Sequence, residues 1–570
     1  MNSENRLKKR NKVLKKVSIF LLVIFSASVV LAGSTDKIVK KVENMIKEGN
    51  LQGAEGLIDS CLEVTPDDFK LLRAKAKILF LQENYKSALD YYEKALIGKS
   101  KDPDALYGAG ICALKLDLAQ KALEYFERGI KTKKRKGDFY YGLGLAQMEL
   151  GSLVEADLTM RKAIKEDKNN PLFHRALGDI NFKKDVWSIA ISEYRTSLEL
   201  DSTQADLYYK LAKANFFSRN FTESVKEYKI YLKKYPIDTT AWEELAKICE
   251  ASNKPSEASF CYQKLTELKP EDGDTWFTYG KNEFNLFNYE VASEALEKAV
   301  SLGAHVAESY KMLAKIYQFR KEYFKADSAY SRFEQELGPP EEPQYWLDKG
   351  KVMLKIGEKD ASFFSRAVES FDTALKLDST NSVTWEYAGL ARYYKKDYKS
   401  AIPFFKKKIE LGGPNVNALR NLAYCYLKTE KYDLAASTLE QAIVLKPEDV
   451  IMRQTIGKIY SFIGNCEKAI EHYKVALKDT TCSLSNIDKC KILGDVCFCY
   501  NVMRDCGNAI TYGERAIKCD PKNIDYLYNL ATAYHLCNKI KLANTYYKKV
   551  LEIDPKHKGA REGAARTEVR

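Results

Sequence analysis

The sequence is poor in the residues that punctuate or catalyse. Its 570 residues include 14 prolines, 5 histidines, 5 tryptophans and 8 methionines. So few prolines, set beside 37 tyrosines and 25 phenylalanines, favour helices packed through aromatic rings. The histidines, at 174, 305, 472, 535 and 557, are scattered and do not fall at metal-ligand spacing. A Cys-x-Cys pair, Cys497 and Cys499, has no Cys-x2-Cys to accompany it, and no metal site is assigned. No phosphate loop, HExxH or GxSxG motif occurs, so no catalytic residue is assigned and the chain is not expected to be an enzyme. "GLGLAQMELG" holds Gly142 and Gly144, but no strand precedes it. A dinucleotide-binding role is therefore excluded in favour of packing. No cofactor is implied.

A charge excess is also missing from the body of the chain. The formal net charge is +13, and the first 16 residues alone hold seven Lys or Arg and one Glu. What remains is too small for a nucleic-acid partner to be expected. Hydrophobic residues at 45% and charged residues at 30% describe an ordered chain.

One apolar run stands apart. "MNSENRLKKRNKVLKK" is followed by the uncharged "VSIFLLVIFSASVVLA", Val17 to Ala32, with small residues at Ala32 and Gly33. This is the layout of a secretory signal peptide. The 16-residue run is shorter than the roughly 20 residues that span a bilayer. An uncleaved membrane anchor is the alternative left open. Either way, the positive flank stays inside and the rest is expected outside the cytoplasm, in a periplasm or cell envelope. The first cysteine, Cys61, lies too far on for a lipoprotein signal.

What is abundant is a period. "LAK" ends at Lys213 and at Lys247, "YGK" at Lys281, and "LAK" again at Lys315, each 34 residues after the last. The same stride runs through a set of small residues: Ala54, Ala88, Ala122, Ala156, Ala190, Ser224, Ala258, Ala292, Ala326, Ala367, Ala401, Ala435, Ala469, Ala509 and Ala543. Spacings are 34 except for 41 before Ala367 and 40 before Ala509. Each unit reads as two amphipathic helices. In "AWEELAKICEASNKPSEASFCYQKLTELKP" the signature residues are Trp242, Leu245, Ala246, Ala258, Tyr262, Leu265 and Pro270. Small residues on both helices let them approach to about 8–10 Å, and proline closes the second. A unit of this kind cannot bury its apolar face alone, so neighbours must stack.

The pattern resembles the tetratricopeptide repeat over nearly all of the chain after residue 33. The resemblance implies an all-α, right-handed superhelical solenoid of about fifteen helix-turn-helix repeats. Four segments are expected: 1–33, signal or anchor; 34–338, repeats one to nine; 339–557, repeats ten to fifteen; 558–570, a terminal cap or tail. "GPPEEPQ" and "DTTCSLSNID" break the period, and the tenth repeat has a lengthened turn around "EKDASFFSR".

In such repeats the first helices line a concave face. Lys213, Lys247, Lys281, Lys315 and Lys351 all take the ninth repeat position, which resembles the ligand-facing site of that family. Aromatics follow three or four residues later: Phe216 and Phe217, Phe284, and Phe319. The implied function is a noncatalytic scaffold or adaptor that grips a protein partner, possibly an acidic extended segment, in a basic groove. A helper that binds glycan or cell-wall polymer is the alternative. Any membrane contact is expected through the N-terminal segment only. Among 13 cysteines, Cys482 and Cys490 flank the second break and are the pair expected to bridge.

Overall fold

The computed structural model describes residues 35–478 and 485–568. The signal or anchor segment therefore lies outside the described residues. Two compact units divide the chain, Met1–Leu286 and Phe287–Arg570. Among the described residues there are helices and no strands, and no helix is long and apolar enough to cross a membrane.

Each unit is built from helix pairs joined by tight turns. Most first helices start on Asp or Asn caps. Asp102 accepts from the Ala105 amide at 3.1 Å, Asp238 from Ala241 at 3.1 Å and Asn415 from Ala418 at 2.8 Å. Each cap satisfies an amide that has no partner within the helix, worth about 1 kcal/mol. Between the two helices of a pair the chain turns through one left-handed residue. It stands five positions before the inner small residue: Gly49, Glu83, Asp117, Gly151, Asp185, Arg219 and Asn253 in the first unit, with φ between 56° and 79°. The second unit repeats the turn at Phe287, Lys321, Lys396, Glu430, Gly464, Arg504 and Asn538. The tenth repeat alone departs from it. Its helices, Pro343–Gly357 and Phe363–Leu377, are joined by a longer linker, as the sequence there predicts.

The register read from the small residues holds throughout. All fifteen, from Ala54 to Ala543, are fully buried. Ser224, the one hydroxyl among them, donates to the Ala212 carbonyl at 2.8 Å. A buried polar group is tolerated there because its hydrogen bond is made. Ala292→Arg is accordingly expected to cost several kcal/mol, roughly 1–3 each from overpacking and from the buried charge. A urea melt of that variant with an unchanged midpoint would contradict the register.

The aromatic packing follows a second rule. In the first unit, the Phe126 ring fills the space above Gly110 in its own repeat and Gly142 in the next. A Cβ added at either glycine would lie 2.5 or 2.4 Å from the ring. Tyr194 sits over Gly178 in the same way, and in the second unit Phe371 over Gly350 and Tyr473 over Gly457. Gly142 and Gly144 thus serve packing, as expected from their place in a first helix; Gly144 lies against Met160.

A side-chain N–H at the fourth repeat position closes each of several inter-repeat loops. Trp242 donates to the Pro236 carbonyl at 2.9 Å and Trp276 to Pro270 at 2.9 Å. Trp346 and Trp385 reach Pro340 and Ser379 at 2.8 Å. Arg453 does the same to Pro447 at 3.0 Å, and His174 Nε2 lies 3.0 Å from the Lys168 carbonyl. Every one reaches back six residues, and in four of the six the acceptor is the carbonyl of a proline, at 236, 270, 340 and 447.

The last helix, Lys558–Thr567, closes the second unit. Gly563 lies beneath Tyr547, and Asn544 donates to the Ala564 carbonyl at 3.1 Å.

The expected Cys482–Cys490 bridge is replaced. Cys490 bonds Cys519, with Cα atoms 5.8 Å apart, and Cys506 bonds Cys537 at 5.4 Å. Cys482 lies outside the described residues. Cys490 is in the first helix, near its start, and Cys519 ends the second, and antiparallel packing brings those two ends together. The second bond ties Cys506 to the close of the following first helix.

Candidate functional site

Successive first helices are wired by ion pairs with a stride of 31 residues, one repeat less about one helical turn. In the first unit Arg73 pairs with Asp104 at 3.0 Å, and Asp104 with Arg135 at 2.9 Å. Arg175 pairs with Asp206 at 2.5 Å, Lys210 with Asp179 at 2.7 Å and Lys213 with Glu244 at 3.0 Å. Partly exposed pairs of this kind add about 0–1 kcal/mol each to stability. Their main effect is on the charge the face offers, because a paired cation is half spent.

This wiring sorts the lysine ladder. Lys213 is half-buried, held by Glu244 and 5.2 Å above the Tyr209 ring. Glu244 also accepts from the Tyr228 hydroxyl at 2.8 Å. Lys247 and Lys281 are exposed and form no ion pair among the described residues. Glu243, one turn before Lys247, pairs instead with Lys269 at 2.6 Å. In the second unit Lys315 is exposed. Lys351 is half-buried, 3.3 Å from Asp348 and 5.2 Å above the Tyr387 ring.

The aromatics of the ladder sit at the turn end of the first helices. Phe217, 47% exposed, stacks on Trp187 at 4.8 Å, and Phe216 is half-buried against Phe221 at 5.9 Å. Phe284 is half-buried. Phe319, in the second unit, is 69% exposed and lies 4.6 Å from Tyr289.

A more enclosed site lies nearer the N-terminus of the first unit. The helices Thr35–Lys47, Phe69–Leu81 and Pro103–Lys115 bound a cavity of about 440 Å³. Val39, Ile46, Phe80 and Ile111 make its apolar wall, while Glu43, Arg73, Lys77 and Arg135 bring charge to it. The Arg135 guanidinium lies 4.6 Å from the centre of the Tyr107 ring. Burial pushes the Tyr107 phenol up to about 12, so it is a neutral donor at physiological pH. Arg73 and Arg135 share Asp104, and each has a further carboxylate, Asp102 for Arg73 and Asp138 for Arg135. Lys77 is exposed and has no ion pair among the described residues. It is the cation this cavity holds in reserve. The arrangement has apolar walls, a fixed aromatic donor and one free cation. It suits binding.

Reading the sequence for one repeated residue type misses this site. Val39, Arg73 and Tyr107 share the 34-residue stride, as do Glu43, Lys77 and Ile111. Their chemistry changes from repeat to repeat, so only the stride marks them as neighbours.

Comparison with known proteins agrees with the architecture. A tetratricopeptide repeat model matches residues 46–105, 74–136, 107–171 and 209–272, and two others match 418–451 and 512–543. Anaphase-promoting complex subunit 3 of Schizosaccharomyces pombe is 24% identical over 310 residues, covering 54% of this chain and 44% of that protein. The cell division cycle protein 16 homolog of Homo sapiens is 24% identical over 251 residues, covering 42% of this chain and 39% of that protein. The chain thus spans less than half the length of either relative. The crystal structure of the APC/C hetero-tetramer Cut9-Hcn1 aligns over 89% of this chain and 98% of that one, at 14% identity and a TM-score of 0.26. With the buried small residue and left-handed turn recurring in register, the matched segments of this chain are tetratricopeptide repeats.

Proposed function

We propose that the protein is a noncatalytic scaffold, outside the cytoplasm, that holds a segment of a partner protein against the first-helix face of its N-terminal unit. The observation that carries this reading is the cavity walled by Val39, Phe80 and Ile111, with Tyr107 and Lys77 as polar anchors. Its ligand is a polypeptide segment with apolar side chains for the wall and a carboxylate for Lys77. Lys247 and Lys281 continue the same repeat position along the unit and offer two further unpaired cations to an acidic extension of that segment. The relatives support the class of function, since one is named as a subunit of a complex. The basic start and apolar run of residues 1–32 support export. So do the two disulfides, since such bonds persist in oxidising compartments.

The test is affinity capture from an extract of the native compartment, followed by titration of the purified partner. Lys77→Glu combined with Lys247→Glu and Lys281→Glu should weaken binding by roughly tenfold or more, about 1.4 kcal/mol or above. All three side chains are exposed, so the fold should be untouched. Unaltered affinity would retire the groove as the binding face. Sequencing the N-terminus of the mature protein tests export separately, and a start near residue 33 is expected.

A further inference from the structure

Two cysteines of the seventh repeat stand apart from the disulfides of the second unit. Cys249 lies on the first helix, Thr239–Ala251, and Cys261 on the second, Pro255–Leu268. Both are buried free thiols. Side chains twelve residues apart face each other across such a helix pair. Tyr262 donates to Glu250 at 2.9 Å, and in the second unit Tyr330 donates to Gln318 at 3.4 Å. Cys249 and Cys261 are the pair immediately beside Glu250 and Tyr262, in the same register on the two helices. Cys261 also forms part of the floor of an apolar cavity of about 720 Å³ that includes Trp242, Phe260 and Ile237. A small oxidant therefore has a route to one sulfur of the pair.

We infer that Cys249 and Cys261 are a redox modification site, a dithiol that closes to an intrahelical-pair disulfide on reaction with a low-molecular-weight disulfide. The chemistry balances with glutathione disulfide as oxidant. The pair first loses one proton, from Cys249, and the one that remains is on Cys261. As the cavity-facing Cys261 sulfur attacks one sulfur of glutathione disulfide, its proton passes to the Cys249 thiolate, Cys261–S–S–glutathione forms and one glutathione thiolate is released. Cys249, whose thiol its Cys261 neighbour holds below the ordinary range, gives that proton to the departing glutathione thiolate and so supplies the resolving thiolate. It attacks Cys261 Sγ, the bond to glutathione breaks, and a second glutathione thiolate leaves. The two thiolates take up the two protons lost by the pair. Two electrons have passed from the dithiol to the oxidant. The product ties the two helices of the repeat beside the cavity and withdraws the Cys261 sulfur from its floor.

The experiment treats the native, full-length protein with glutathione disulfide or leaves it untreated. Free thiols are then blocked with N-ethylmaleimide, and the digest is analysed by mass spectrometry without reduction. The expected product is a peptide pair joined through Cys249 and Cys261, two hydrogens lighter than the sum of its parts, with the Cys490–Cys519 and Cys506–Cys537 peptides unchanged. Cys249→Ser should trap a glutathione adduct on Cys261, and Cys261→Ser should leave Cys249 blocked by maleimide and without glutathione. Maleimide on both cysteines of the oxidised wild type would overturn the inference. So would a glutathione adduct that persists on wild-type Cys261, since that is modification without closure. The wild-type result decides the matter even where a variant folds poorly.

Discussion

Phe126→Ala should destabilise the N-terminal unit by about 3–5 kcal/mol, a loss at the upper end for a single core side chain. The ring is fully buried and stands over two glycines, Gly110 and Gly142. Those positions have no side chain that can swing into the space, so the cavity left behind cannot collapse without moving helix backbones. Cavities that fail to relax are the costly ones. Tyr107, 6.0 Å from the ring, would lose a neighbour, and the groove it lines would loosen with it. Repeat stacks unfold in sections, so the readout is hydrogen exchange resolved by segment rather than one melting temperature. Peptides from 103–166 should exchange far faster in the variant, while those of the second unit keep their rates. Gly142→Leu offers a complementary test, because its side chain and the ring would compete for one volume. Exchange rates unchanged in both variants would contradict the packing of glycine against ring.

Reduction of the two disulfides should have an effect of at least that size. The bonds close loops with separations of 29 and 31 residues. Loops of that length are expected to add about 2–4 kcal/mol each, chiefly by restricting the unfolded chain. Cys490–Cys519 joins the two helices of one repeat, and Cys506–Cys537 joins that repeat to the next. Together they staple the final repeats on the C-terminal side of the second break in the period. Dithiothreitol should therefore raise exchange across 486–567 while leaving 35–286 as it was. A reduced protein with unaltered protection in 486–567 would show that packing alone holds these repeats.

The two results separate what is legible in the sequence from what is not. Residues that pack at a fixed stride were legible, because burial imposes one size at one position. Ala292 and Ala401 had to be small wherever two helices met, and both are fully buried. The lengthened turn of the tenth repeat was legible as extra residues. The cysteine partner of Cys490 was not. Spacing along the chain favoured Cys482, whereas antiparallel helices set Cys519 beside Cys490 from 29 residues away. The loop-closing donors were hidden for another reason. Trp276, Arg453 and His174 share one task, donating an N–H six residues back, and any residue type with a suitable nitrogen can perform it.

The groove shows the same limit. Lys213 belongs to a conspicuous ladder, yet Glu244 occupies it. Lys77 stands at the same repeat position, cut off from the ladder by Ile111, Leu145 and Asp179, and forms no ion pair among the described residues, beside the Tyr107 donor and the Phe80 wall. Charge repeated along a sequence is not charge available at a surface, because the stride of 31 that brings carboxylates to these cations is set by helix stacking.

Hydrogen exchange of the full-length protein, alone and saturated with its captured partner, tests the proposed binding face most directly. The first helices Phe69–Leu81 and Pro103–Lys115 should gain protection on binding, with the intervening second helix Tyr85–Gly98 changed least. Protection confined to second helices, or to the second unit, would contradict the account.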